Sequence, residues 1–217
     1  MKSILLSLFI SLTLFGCEKV QSEHESITGI GPLHIEERTV YSFSKIENRL
    51  AANIRILKSN SRKIEVKAQK NLISGIHTTV LNGSLIISSG DYSSITDSTI
   101  SIDLYIPDSE LEELSMKGSG LVWSECPVKR IYLSGAGNIS CSGEISHTEV
   151  LLSGFGNINL LDMKVATADI RISGNGNVKM NADEKLDISI PGMGNVYYKG
   201  NPEINQSISG MGNIINL

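Results

Sequence analysis

Between residues 118 and 214 the chain returns six times to one pattern: Gly-x-Gly, then usually Asn, then Ile or Val. The copies are Gly118-Ser119-Gly120-Leu121-Val122, Gly135-Ala136-Gly137-Asn138-Ile139 and Gly154-Phe155-Gly156-Asn157-Ile158. They continue as Gly174-Asn175-Gly176-Asn177-Val178, Gly192-Met193-Gly194-Asn195-Val196 and Gly210-Met211-Gly212-Asn213-Ile214. Their first glycines stand 17, 19, 20, 18 and 18 residues apart. A period in this range marks stacked units rather than a globule of unrelated elements.

Alignment on the first glycine exposes apolar columns. Two before it stand Met116, Leu133, Leu152, Ile172, Ile190 and Ile208. Four before it stand Leu114, Ile131, Val150, Ile170 and Ile188, with Gln206 as the exception. Four after it stand Val122, Ile139, Ile158, Val178, Val196 and Ile214; six after it stand Ser124, Cys141, Leu160, Met180, Tyr198 and Asn216. Apolar residues therefore alternate with polar ones on both sides of the glycines, which is strand periodicity. Each copy reads as strand, Gly-x-Gly-Asn turn, strand and second turn, the second turns lying near Ser142-Gly143, Asn181-Ala182-Asp183 and Gly200-Asn201-Pro202. The expected fold is all-β: a parallel β-solenoid of two facing sheets, with about 17–20 residues per coil. A single coil cannot bury its own apolar face, so each needs its neighbours.

Glycine suits these corners because the chain reverses sharply and can adopt positive φ there. Asn138, Asn157, Asn177, Asn195 and Asn213 form one column, and stacked amides can hydrogen-bond along the axis. A row of polar ligands for a partner is the functional alternative. Upstream, Thr39–Phe43, Asn53–Leu57, Lys63–Val66, Ser84–Ile87 and Thr99–Ile106 alternate as strands do, and Asn82-Gly83 marks a tight turn. Ser44–Ala52 is a weak helix candidate, and Pro107-Asp108 a join within one continuous domain.

The N-terminus has an export pattern: Lys2, an apolar run from Ile4 to Phe15, then Gly16-Cys17. The run is too short to span a bilayer comfortably and reads as a signal peptide. Leu14-Phe15-Gly16-Cys17 resembles the bacterial lipobox, which implies acylation of Cys17 and a membrane partner reached through a lipid anchor. The expected division is a leader over 1–16, the acylated cysteine and a polar tether over 17–28, and the β domain over 29–217. Within that domain, 29–113 is less regular and 114–217 holds the regular repeats. Cys126 and Cys141 are then an even pair in an oxidising compartment. A bridge between them would close a loop of about 15 residues and stabilise by roughly 3 kcal/mol; two separate apolar fillers are the other reading.

No catalytic constellation emerges. The glycine pairs lack the third glycine and following helix of a dinucleotide site. The Asn column and doubled period disfavour calcium of the nonapeptide-repeat kind, and His24, His34, His77 and His147 lack ligand spacing. No metal or cofactor is expected. Asp162, Asp169, Asp183, Glu184 and Asp187 are read as sharing no column, which argues against a carboxylate-based polysaccharide-cleaving site. The net charge of −4 carries no basic stripe, so nucleic acid is not an expected partner. Trp123 and Tyr197 both fall five after a first glycine and Tyr132 faces out from the opposite strand; these exposed aromatics could contact sugars or a protein.

The Gly-x-Gly-Asn turns resemble the head GIN domain family of autotransporter adhesins, common among bacterial lipoproteins. Glu37–Phe43, Gln69–Ile73 and Asn82–Ile87 match its upstream layout as well. The resemblance covers nearly all the chain after the tether. It implies a right-handed β-helix and an adhesive role, and it supplies no catalytic residues. The expected function is thus a non-catalytic lipoprotein of the bacterial cell envelope, anchored at the outer membrane. It would serve as an adhesin or surface interaction module for a host or envelope glycan or protein. Two alternatives are a polysaccharide-binding (less readily polysaccharide-cleaving) β-helix and a periplasmic structural module. The latter would form a homo-oligomer through the solenoid end, where Asn213–Leu217 has no polar cap.

Overall fold

A computed structural model describes residues 26–90, 94–96, 99–107 and 111–217. The leader, Cys17, His24, most of the tether and Asp108 lie outside the described residues.

The upstream part contains β1 (Ser26–Thr28), β2 (Leu33–Arg38), β3 (Lys45–Asn48), β4 (Asn53–Lys58) and β5 (Lys63–Gln69). A one-turn helix α1 (Lys70–Ile73) follows, then β6 (His77–Leu81), β7 (Ser84–Ser88), β8 (Ser94–Thr96) and β9 (Ser101–Ile106). Two expectations are corrected here. Thr39–Phe43 is not a strand, the strand lying just upstream at β2, and the helix candidate Ser44–Ala52 contains β3 instead. In β3 the alternation Ile46-in, Glu47-out wins over helical propensity, because Ile46 and Asn48 are buried between neighbouring strands. The Asn82-Gly83 turn has both residues at positive φ (50° and 74°), the geometry that joins β6 to β7 as a two-residue hairpin.

The repeats form β10 (Leu111–Met116), β11 (Ser119–Ser124), β12 (Val128–Leu133), β13 (Ala136–Cys141) and β14 (Gly143–Leu152). They continue as β15 (Phe155–Ile172), β16 (Asn175–Ile190), β17 (Val196–Lys199), β18 (Glu203–Ile208) and β19 (Ile214–Asn216). Strands before the glycines stack in parallel: β10, β12, β14, then the C-terminal parts of β15 and β16, then β18. Strands after the glycines stack likewise: β11, β13, the N-terminal parts of β15 and β16, β17 and β19. The result is a β-solenoid with a pre-glycine and a post-glycine sheet. The second corner is not always a plain turn. β15 and β16 run through it and keep a shifted ladder, Lys164 opposite Asn181, which adds a short third strip.

Register shows that the solenoid begins earlier than the glycines do. β7 pairs with β3, which pairs with β10; β9 pairs with β4, which pairs with β11. The coil β3–β4 therefore lies between the later coil β7–β9 and the first regular coil. β5 then runs antiparallel to β9, β2 antiparallel to β5, and β6 antiparallel to β7. This antiparallel layer covers the starting end, where parallel edges would otherwise stand open.

The aliphatic columns fill the interior. Leu114, Met116, Ile131, Leu133, Leu152, Ile158, Leu160, Ile172, Val178, Met180 and Ile190 are all fully buried. Burial falls off toward the last coil, with Tyr198 half-buried and Gln206 and Ile208 exposed. Buried Asn48 and Thr148 are satisfied by backbone groups. Asn48 Nδ2 donates to the Leu50 carbonyl and its Oδ1 accepts from the Leu50 N–H, both at 3.0 Å. Thr148 Oγ1 donates to the Val128 carbonyl at 2.8 Å.

Candidate functional site

Glycine at the repeat corner is required by stacking. A Cβ on Gly154 would overlap the Gly135 carbonyl of the previous coil, and one on Gly156 would overlap the Gly137 carbonyl. Gly156 also has φ +133°, whereas the first glycines do not have positive φ. Close approach is thus the shared cause and backbone freedom a local addition. The same relation holds at Gly135, Gly137, Gly174, Gly176, Gly192, Gly194, Gly210 and Gly212.

The tight corner aligns the asparagines. Asn157 Nδ2 donates to Asn138 Oδ1 at 3.0 Å, Asn177 to Asn157 at 3.0 Å, Asn195 to Asn177 at 3.1 Å and Asn213 to Asn195 at 3.3 Å. The backbone N–H groups of Asn157, Asn195 and Asn213 also donate to the preceding amide oxygen, at 3.2, 3.2 and 3.0 Å. One member was not found from the repeat. Asn53 Oδ1 accepts from the Leu121 N–H at 3.1 Å, so Leu50-Ala51-Ala52-Asn53-Ile54 occupies the corner one coil earlier. The signal was present as Asn-Ile following two small residues, but Leu50 and Ala52 replace the glycines. An amide has two N–H donors, so each ladder residue keeps one beyond the bond to its neighbour.

Three columns face outward from the post-glycine sheet: the residue between the glycines, the Asn position, and the position two further on. Together they hold Ser119, Leu121, Trp123, Ala136, Ser140, Phe155, Asn159, Asn175, Lys179, Met193, Tyr197, Met211, Ile215 and the ladder. Lys179 carries their only charge among the described residues. Trp123 is 42% exposed, Phe155 67%, Met193 45% and Met211 68%. Trp123 and Tyr197, expected at the same repeat position, stand in one column of this sheet four coils apart, in the register Trp123, Ser140, Asn159, Lys179, Tyr197. Tyr132 belongs to the other sheet. Between the ladder and this column runs a groove of about 610 Å³, lined by Asn138, Asn157, Asn177, Ser140, Asn159, Lys179 and Tyr197. The Lys179 ammonium stands 6.0 Å from the Tyr197 ring centroid.

The pre-glycine sheet is the opposite in character. Its outward columns contain Glu113, Arg130, Glu149, Asp169, Arg171 and Asp187. Here a sequence reading is corrected: Asp169 and Asp187 share a column, Glu149 pairing with Asp169 and Asp169 with Asp187. All three stand five residues before a first glycine, a count that would have revealed them. Several of these charges are engaged with neighbours. Lys185 Nζ lies 2.7 Å from Asp187, Asn205 Nδ2 donates to Asp187 at 2.9 Å, and His147 Nε2 lies 3.7 Å from Asp169. The Lys185 and Asn205 bonds hold the Asp187 carboxyl below its ordinary range. Asp183 lies on the third strip, 3.3 Å from Lys164, with Glu184 beside it and Asp162 at the second corner. Among the described residues no group of three or more His, Cys, Asp or Glu gathers at ligating distance.

Cys126 and Cys141 are buried thiols with no S–S bond in this structure. Burial pushes the Cys141 thiol up to about 12, and the nearby Cys126 adds to the rise. Ser124 Oγ steadies the corner between them, donating to the Cys126 carbonyl at 2.8 Å and accepting from its N–H at 3.1 Å.

Residues 42–133, and again 125–202, match a protein family described as "Putative auto-transporter adhesin, head GIN domain". A search of curated proteins finds no match. Among solved structures, the chain is similar to a "putative adhesin" from Bacteroides fragilis, with TM-score 0.73 and 21% identity over 88% of this chain and 99% of that one. A second "putative adhesin", from Parabacteroides merdae, aligns over 88% of this chain and 99% of that one at 15% identity and TM-score 0.49. The first likeness shows a shared β-solenoid fold.

Proposed function

This chain belongs to the head GIN domain family, and from that premise we propose that it is a non-catalytic adhesive module of the bacterial cell envelope, held at the outer membrane through acylated Cys17. The observation that carries the reading is the contrast between the two sheets. One outer face bears paired charges, as solvated faces do. The other, along the six glycine coils, carries only Lys179 in its three outward columns and exposes Trp123, Phe155, Met193 and Met211; charge returns at its margins, in the Arg55–Asp103 pair beyond Trp123 and at Lys199. Depletion of charge with enrichment in aromatic residues and methionine is the composition of an interaction surface. Methionine between the corner glycines supplies an adaptable apolar contact.

The test uses intact cells expressing the full chain. External protease removes the domain if it is displayed outward, and Cys17→Ala releases it from the membrane fraction. A domain that survives until the outer membrane is broken replaces adhesion with a periplasmic scaffolding role. Self-association is a second reading, supported by the apolar exposure of Ile208, Met211, Ile215 and Leu217 on the last coil. Sedimentation of the purified protein across a concentration series decides it: a constant monomer mass removes the reading.

A further inference from the structure

Several features of the charge-poor face narrow the chemistry of what it can hold. The groove is long rather than deep. Its lining runs from Ser140 through Asn159 and Lys179 to Tyr197, three strand spacings or about 14 Å, and Trp123 stands on the next strand beyond Ser140. One wall repeats an amide at every step, from Asn138, Asn157 and Asn177, and the other presents Ser140, Asn159 and Lys179. Each ladder amide is fixed by its neighbours and still has an N–H to give. The lining includes no Asp or Glu side chain, and one lysine is too little for a polyanion. The contrasting groove on the pre-glycine sheet, about 460 Å³, is lined by Glu149, Asp169, Arg171 and Asp187. At least Asp169 and Asp187 there already have partners.

Resting on the adhesive reading above, we propose that the post-glycine face binds an extended, uncharged polysaccharide along the solenoid axis. The polymer lies between the amide ladder and the Trp123–Tyr197 column. Hydroxyl groups suit rigid amide and hydroxyl partners, and the apolar faces of sugar rings suit the exposed aromatics at the two ends. The strand spacing of about 4.8 Å is close to the advance of one equatorially linked pyranose, so a polymer in register meets an equivalent group at each ring. A preformed, rigid array of this kind loses little entropy on binding.

Trp123 is the sole tryptophan of the chain, so its fluorescence reports from the strand next to one end of the groove. The acylated full chain, purified in an amine-oxide detergent free of sugar, is titrated with cellohexaose, β-1,4-mannohexaose, N-acetylchitohexaose and, as polyanion, hexagalacturonate. At least one neutral hexaose shifts the Trp123 emission saturably, and its disaccharide binds at least about tenfold more weakly. Tyr197→Ala and Ser140→Arg each weaken binding about tenfold or more, while Arg171→Ser on the opposite sheet leaves it unchanged. Ser140→Arg, at a half-buried outward site, guards against a Tyr197 variant that fails to fold. Three results overturn the proposal: no saturable shift with any neutral hexaose, hexagalacturonate binding as tightly as the neutrals, or both groove variants binding like the parent. Adhesion of expressing cells separates this from the parent reading. Adhesion abolished by Ser140→Arg yet untouched by excess hexaose marks a protein partner, which overturns the glycan and keeps the adhesin. Adhesion absent throughout overturns the adhesin, and the titration still judges the groove.

Discussion

The coil β3–β4 and the six glycine coils build the same corner from different residues. In the regular coils the corner is Gly-x-Gly-Asn; in β3–β4 it is Leu50-Ala51-Ala52-Asn53. Leu50 and Ala52 are both buried, so both side chains find room. At Gly135 or Gly156 none exists, because a Cβ would enter the backbone of the coil before. The difference lies in what precedes each corner. Behind Gly135 stands another tight corner, Lys117-Gly118. Behind Leu50 the ladder is interrupted, between Ile87, which accepts from the Arg49 N–H, and Ile100, which accepts from the Asn53 N–H, both at 2.9 Å. Glycine in this fold is a requirement of stacking one tight corner on another. It is not a requirement of the turn itself.

The sharpest way to break that comparison is to exchange the residues. Gly156→Val places a branched side chain against the Gly137 carbonyl at φ +133°. It should destabilise by about 3 kcal/mol or more, read as loss of the cooperative thermal transition or of soluble protein. Ala52→Gly, the converse change in β3–β4, should cost no more than about 1 kcal/mol. Equal effects at the two sites would remove the stacking argument.

The amide ladder gives a smaller contrast. Asn157→Ala removes two amide–amide bonds, the one it donates to Asn138 and the one it accepts from Asn177, and should cost about 1–2 kcal/mol in a denaturant titration. Leu121→Asn does the reverse. It places an amide between Asn53 and Asn138, and should stabilise by about 0.5–1 kcal/mol. No gain at Leu121 would mean that the ladder ends there for reasons other than a missing amide.

Acid should act on one sheet only. Lys129 holds Glu112 below the usual carboxylate range, and Lys185 with Asn205 does so for Asp187. Burial alone would raise Glu47, but the hydrogen bonds from Arg49 and Lys117 outweigh it and leave it lowered. Carboxyls lowered in the folded state contribute stability that is complete above about pH 4 and is lost as pH falls through their folded values. The Tm should therefore drop modestly from pH 7 to pH 3, and the drop should shrink in Asp187→Asn. An identical drop in that variant would show that acid sensitivity comes from elsewhere.

The thiols should leave stability unchanged and affect only reactivity. With Cys141 pushed up to about 12, thiolate is scarce at neutral pH. Iodoacetamide should label Cys126 and Cys141 only after unfolding, seen by intact mass. Unfolded protein that takes label only after a reductant would reveal a bridge instead.

The repeat alone determined the period, the inward columns and the parallel stacking. Leu133, Leu152, Ile158 and Ile172 are buried because a strand alternates and a coil must cover its neighbour, both local consequences of the pattern. Several features were decided only in three dimensions. The chain places coil β7–β9 ahead of β3–β4 although it is made later, because antiparallel β5 and the β6–β7 hairpin carry it back. No periodicity records such a reversal. Asn53 joins the ladder without glycines because the ladder behind its corner is interrupted between Ile87 and Ile100. Asp169 and Asp187 meet only when the corner sets the register between coils. The sidedness of the molecule follows from the same step. Scattered along the chain, one set of residues looks merely polar and another merely charged, and the 4.8 Å stack gathers each into its own face.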